Sequence, residues 1–325
     1  MTGSAASVCY ALNGRILCVS AERAELWWGF DQMLATLRAE GPLEPDFSVR
    51  IVETQSLMES PDGMLAFDGE VLEDGHCRMV DGGEVVHLVF PGSQTASIHA
   101  GERWAEIRVR PGTRVNWTLL MLVLDAALDA GGQHMLHTAG LTLPEGDAQV
   151  LIHAPSGTGK TTTSLALASQ GFGLCSDDAM ILDGTTGWGL PRHVKIHTKT
   201  AAMLPFVSPC LGPTWDRNGE QAVSLELLSN ILRVESPAAR PVAALLHLAR
   251  SADENSRLLP LAKTEAMVVL ATDNVRTGMT GLLPLQKRRM ATIARLVTAI
   301  PTFTLEVGAR PADSAGIIRA ALEAG

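Results

Sequence analysis

The chain has 325 residues, enough to bury one large core or two smaller ones, and its 46% hydrophobic and 19% charged content is that of a folded globular protein. A formal net charge of −9 leaves no excess of Lys and Arg to neutralise a nucleic-acid backbone. The most apolar run, 119–124, is closed by Asp125, far short of the roughly 20 residues that a spanning helix needs, so neither nucleic acid nor membrane is an expected partner.

The amino-terminal end shows no basic segment followed by an apolar stretch, and the expectation is a cytoplasmic protein. Cys9, Cys18, Cys77, Cys175 and Cys210 form no CxxC or Cys/His cluster and read as reduced, mostly buried thiols. Over the first 110 residues, short alternating segments at 7–12, 15–19 and 47–52 are separated by Asn13-Gly14, Asp62-Gly63 and Asp81-Gly82, the pattern of β-hairpins. Leu26, Phe30, Met33, Leu34 and Leu37 recur at helical spacing and predict one helix over 21–39, with Trp27-Trp28 in the core. Residues 1–110 are therefore expected to form a smaller α+β domain, one that could serve substrate recognition.

Pro111-Gly112-Thr113 predicts the start of an apolar helix through residue 130, stopped by Gly131-Gly132, and a second domain over 111–325. Strands are expected at 134–143 and 148–153, a helix over 159–170, a strand ending near Asp177 and another at 180–182. Farther on come a buried strand at 242–248, helices over 264–271 and 285–300, a strand at 302–307 and a final helix over 312–324. The alternation predicts an α/β domain with a mixed sheet. Lys287-Arg288-Arg289 reads as the solvated basic face of its helix.

Between the strand ending at His153 and the helix opening near Lys160 stands Ala154-Pro155-Ser156-Gly157-Thr158-Gly159-Lys160-Thr161. A glycine-rich turn between strand and helix points backbone N–H groups at phosphates, and the helix adds its positive end. Ser156, Gly157, Thr158, Gly159, Lys160, Thr161 and Thr162 are the expected nucleotide-binding set. Lys160 would reach the β- and γ-phosphates and Thr161 would ligate Mg²⁺. Ala154 occupies the place where this pattern has its first glycine. Asp177 and Asp178 follow seventeen residues after Lys160. Adjacent acids on an extended chain point to opposite faces, so one could hold a metal while the other accepts a proton from a hydroxyl. In 189–199, cationic residues alternate with apolar ones: Arg192 and Lys195 are candidate clamps for phosphate oxygens or an acidic acceptor, or members of a solvated edge strand.

His137-Thr-Ala-Gly140, Val150-Leu-Ile, Pro155 to Thr161 and Gly171 to Asp178 together resemble the catalytic core of the HPr kinase/phosphorylase family and its HPr-kinase-related relatives, among them kinases that phosphorylate lasso peptides. The resemblance implies a phosphoenolpyruvate-carboxykinase-like P-loop fold. It also implies that Asp177 is the base that deprotonates an acceptor serine, that Asp178 and Thr161 are metal ligands, and that His137 lies near the base and the transferred phosphate. The expected activity is transfer of the γ-phosphoryl group of ATP, with Mg²⁺, to a Ser/Thr hydroxyl of a peptide or protein. The alternatives are a small hydroxyl acceptor such as free serine or a sugar, or a non-catalytic nucleotide-binding sensor. The acceptor's identity, any reverse phosphorolysis and homo-oligomerisation stay open at this point.

Overall fold

The computed structural model describes residues 6–41, 43–71, 74–251, 253–275 and 282–323, and shows a mixed α/β protein. It divides into two compact units: Met1–His134 with Arg276–Arg289, and Met135–Val275 with Met290–Gly325.

The first unit is built on an eight-stranded sheet of β1 (Ala6–Leu12), β2 (Arg15–Ala21), β3 (Phe47–Glu53), β4 (Met64–Glu70), β5 (His76–Asp81), β6 (Val86–Phe90), β7 (Gln94–His99) and β8 (Trp104–Val109), in the order β1-β2-β3-β8-β7-β6-β5-β4. Asn13 and Gly14 both take positive φ, 47° and 77°, the conformation of a two-residue hairpin turn. That turn sets the β1–β2 register, which places Cys9 opposite Cys18 with Cα atoms 4.1 Å apart. The two are disulfide-bonded, which overturns the expectation of reduced thiols at these positions. Cys77, Cys175 and Cys210 are buried and form no disulfide among the described residues.

The helix expected over 21–39 is broken: only Trp28–Leu34 (α1) is α-helical, with single 3-10 turns on either side. Trp27 is buried but Trp28 is half exposed, with the Arg114 guanidinium 5.0 Å from its ring centroid. The next helix, α2 (Trp117–Ala130), begins later than residue 111. Gly112 has a φ of 79° and Thr113 N–H closes a turn onto Arg110 O, whereas Asn116 accepts a hydrogen bond from Leu119 N–H and so caps the helix.

The second unit introduces β9 (His134–Leu136), β10 (Ala139–Thr142), β11 (Gln149–His153), α3 (Lys160–Ala168), β12 (Gly173–Ser176), β13 (Met180–Asp183), β14 (Thr186–Gly189), β15 (Val194–His197), α4 (Thr198–Met203), β16 (Glu220–Val223) and α5 (Leu225–Leu228). It continues with β17 (Arg240–Arg250), β18 (Arg257–Pro260), α6 (Lys263–Asn274), α7 (Pro284–Ala299), whose residues 284–289 belong to the first unit, β19 (Thr302–Val307) and α8 (Ser314–Glu323). The last residue of the expected final helix, Ala324, lies outside the described residues. The long strand β17 runs parallel to β11 and β19 and pairs antiparallel with the end of β14. Its interior, with Leu246 and Leu248, packs with Leu165 and Leu167 of α3 and with Phe172 in an apolar core beneath the loop that follows β11. His137 and Thr138 separate β9 from β10, so the segment expected as one strand bends at His137.

Helix α7 corrects a further expectation. Lys287 and Arg288 are exposed, but Arg289 is 3% exposed. Arg289, Ile293 and Leu296 are spaced i, i+4, i+7 and share one helix face. The guanidinium lies 2.9 Å from Asp129 Oδ1 and 3.3 Å from Asp125 Oδ1, and Asp129 also meets His134 Nδ1 at 2.6 Å. Among the described residues no helix is long and apolar enough to cross a membrane.

Candidate phosphate-binding site

The site is assembled at one end of the parallel strands of the second unit. β11 ends at His153, the chain turns through Pro155–Gly159, and α3 starts at Lys160. Gly157 and Gly159 adopt φ of 75° and 110°, and a side chain there would be strained although nothing crowds the space a Cβ would fill. The result is an open cradle, closed at its base by a hydrogen bond from Thr158 N–H to Pro155 O at 3.1 Å. The first-turn N–H groups of α3 have no carbonyl within the helix to bond, and they sit at the positive end of its dipole. Ala154 needs no glycine: it is 1% exposed, belongs to the core beneath the loop, and is absent from the positions with positive φ.

The side chains sort themselves. Ser156, Gly157 and Thr158 line the outer part of the turn. Lys160 Nζ is 2.9 Å from His137 Nε2. The Thr161 hydroxyl donates to Asp177 Oδ2 at 2.7 Å. Thr162 turns away, pairing its hydroxyl with that of Thr200 at 2.8 Å in the protein interior, so only its backbone N–H faces the cradle side of the helix. Arg192 Nη1 lies 3.5 Å from Asp178 Oδ2. Lys195 sits on the exposed face of β15, where its charge acts on Asp216. The structure thus gathers His137, Lys160, Thr161, Asp177, Asp178 and Arg192, and places Lys195 beside Asp216.

Electrostatics follow from burial. Asp177 is 7% exposed and its pKa is raised to about 6, first by desolvation and then by Asp178; the Thr161 hydrogen bond and Lys160 pull the other way. Its second oxygen, Oδ1, is buried without a hydrogen-bond partner, an arrangement that favours an incoming donor or cation. The His137 ring reaches solvent, yet the protein crowded around it and the Lys160 charge hold its pKa below the usual value. A neutral His137 accepts from the Lys160 ammonium through Nε2, which assigns the ring proton to Nδ1. Lys160 is itself lowered by desolvation, while Asp177, Asp178 and Asp273 oppose that shift.

Five further residues border the loop. The Arg250 guanidinium donates to Gly157 O at 2.5 Å from the end of β17. Asn274 Oδ1 accepts the His137 backbone N–H at 2.6 Å. His153 Nε2 lies 2.9 Å from Asp273 Oδ2, and its Nδ1 lies 3.0 Å from His247 Nδ1. Arg250 had a legible signal, a cation ending an apolar strand; Asp273 and Asn274 had none, lying over a hundred positions from their partners. No group of three His, Cys, Asp or Glu side chains with metal-holding geometry occurs among the described residues. Comparison with protein families and with curated proteins found no match.

Proposed function

We propose that the second unit is an HPr-kinase/phosphoenolpyruvate-carboxykinase-like P-loop domain that transfers the γ-phosphoryl group of ATP to a Ser/Thr hydroxyl of a peptide or protein. The observation that carries this reading is the joining of the open Gly157–Gly159 cradle to a buried carboxylate, through the Thr161 hydroxyl on Asp177, with the Lys160–His137 pair beside it. A nucleotide alone would be served by the loop and Lys160. A buried acid with one unpaired oxygen suits proton or cation chemistry as well.

The residues present fit ATP and Mg²⁺. Loop and α3 N–H groups with Lys160 would hold the phosphates, and Thr161 with Asp178 would hold the cation; when bound, Mg²⁺ would neutralise charge on the phosphate oxygens. Within that frame Asp177 accepts the proton of the acceptor hydroxyl. A carboxylate with a pKa near 6 is mostly ionised at neutral pH and is more basic than an ordinary aspartate. Lys160 and Arg192 place positive charge where phosphate oxygens would gather, and neutral His137 keeps the Lys160 head directed along its Nε2 lone pair.

The Thr161–Asp177 hydrogen bond favours a second division of labour, in which Asp177 joins Thr161 at the cation and Asp178, beside Arg192, faces the acceptor. Asp177→Asn and Asp178→Asn separate the two. The variant lacking the base binds ATP·Mg²⁺ normally and transfers no phosphate, whereas the variant lacking the cation ligand needs more Mg²⁺ for half-maximal binding. For the activity itself, purified protein is incubated with ATP·Mg²⁺ and candidate peptides, free serine and sugars, and the products are weighed by mass spectrometry. One added phosphate on a peptide hydroxyl supports the proposal; phosphate on a small acceptor alone, or ATP binding with no transfer to any of them, sinks the peptide-kinase reading.

A further inference from the structure

A second polar cluster adjoins the phosphate-binding site, and the transfer chemistry makes no use of it. His153 and His247 are direct partners in the β11–β17 register, and their ring centroids are 5.2 Å apart. Because His153 Nε2–H donates to Asp273, a neutral His153 must accept at Nδ1, and His247 must donate from its own Nδ1. Burial lowers the pKa of both rings, in keeping with neutral imidazoles at pH 7. The proton positions along the chain His247 to His153 to Asp273 are therefore assigned by its partners, leaving one acceptor, the carboxylate, at the site end.

Asp273 and Asn274 form the last turn of α6, and both reach the site. Asn274 holds the backbone of His137 through Oδ1 and returns its amide to Leu270 O at 2.9 Å. Asp273 holds the end of β11 through His153. One helix turn thus ties down the two segments that flank Lys160 and His137. The Asp273 carboxylate also acts on both of those side chains through space, opposing the repulsion that Arg192 exerts on each. We infer that Asp273, oriented by His153 and His247, is a positioning residue that keeps the Lys160–His137 pair aligned for phosphoryl transfer. This rests on the phosphate-site reading above. Without the carboxylate, the Lys160 ammonium is drawn only toward Asp177 and Asp178 and leaves the His137 lone pair.

The test compares the full-length protein with Asp273→Asn, His153→Leu and His153→Gln. ATP·Mg²⁺ binding is followed by titration calorimetry, ADP release with the hydroxyl acceptor that takes up phosphate in the mass-spectrometric assay, or with water where none does, gives kcat and KM, and Tm is recorded for each protein. Asp273→Asn keeps an acceptor for His153 but loses the charge, and should lower kcat about 10-fold, the scale on which removal of an orienting partner acts, with KM and Tm nearly unchanged. His153→Leu should lower kcat similarly, and His153→Gln, which can still donate to Asp273, should recover most of the loss. A wild-type kcat in Asp273→Asn overturns the assignment, as does a loss that follows Tm with Gln no better than Leu. If His153→Leu does not fold, Asp273→Asn decides. A wild-type protein that binds no ATP·Mg²⁺ overturns the site reading and this assignment together; binding without ADP release to any acceptor, water included, overturns the assignment alone.

Discussion

Replacing Asp177 by Asn should change the pH dependence of stability in a way that only a buried, proton-favouring carboxyl can produce. In the fold its pKa is raised from 3.8 to about 6. The folded state thus holds this proton more tightly than the unfolded chain does, so the side chain favours folding at low pH and that contribution is lost as pH rises through about 6. At about 1.4 kcal/mol per pKa unit, the penalty of the ionised side chain is on the order of 3 kcal/mol at pH 8 and about 1 kcal/mol at pH 4.5. Asn is neutral throughout. It adds an N–H₂ group near the unpaired Oδ1 position, a cost that does not vary with pH. The stability of Asp177→Asn relative to wild type should accordingly improve by about 2 kcal/mol between pH 4.5 and pH 8. Urea unfolding of both proteins at the two pH values, in nucleotide-free buffer with a chelator, measures this. A relative stability that is the same at both pH values would refute the burial argument for Asp177.

Other positions give separate checks. Arg289→Met removes the counterion of Asp125 and Asp129 in the first unit and should cost about 3–5 kcal/mol in urea unfolding, because it leaves buried charge uncompensated; a loss below about 1 kcal/mol would contradict the buried-network description. Reduction of Cys9–Cys18, or its double replacement by Ala, should cost about 2–3 kcal/mol for so short a loop, read as a lower Tm. An unchanged Tm, with two extra thiols titrating in untreated protein, would show that the pair is reduced in solution. Gly159→Ala forces a side chain to φ near 110° and should weaken ATP binding while costing about 1 kcal/mol of stability or more; unchanged ATP affinity would argue against the loop as phosphate cradle.

Local chemistry was readable wherever neighbours in the chain determine it. The turn residues Asn13-Gly14, the buried strand β17, the strand β19, and the strand, glycine loop and helix around Lys160 all express short-range rules, and they fold as read. The irregular Ala154 became intelligible only with packing in view, since its methyl group fills core space where no positive φ is required. Where the reading fell short, a partner distant in sequence decided the outcome. Arg289 looked solvated beside Lys287 and Arg288 until Asp125 and Asp129 from α2 met it. The helix expected over 21–39 breaks into 3-10 turns on either side of α1, and Gly29 within α1 packs so closely that a Cβ there would strike Leu120 Cδ1. Cys9 and Cys18 required the hairpin register rather than a cysteine motif. In the site, Lys160, Thr161 and the Asp pair announced themselves through motif spacing and His137 only through the family resemblance, while Asp273 and Asn274 look like an ordinary helix end in sequence and matter only because α6 stops against His137 and His153.

The central claim is that residues 155–161 hold the phosphates of ATP·Mg²⁺, and a calorimetric titration of wild-type protein and of Lys160→Ala tests it most directly. Wild type should bind one ATP·Mg²⁺ per chain saturably, and Lys160→Ala should bind at least about 10-fold more weakly, the loss expected on removing a charged phosphate contact. Absence of saturable binding by the wild type, or equal affinity in the two proteins, would contradict the account.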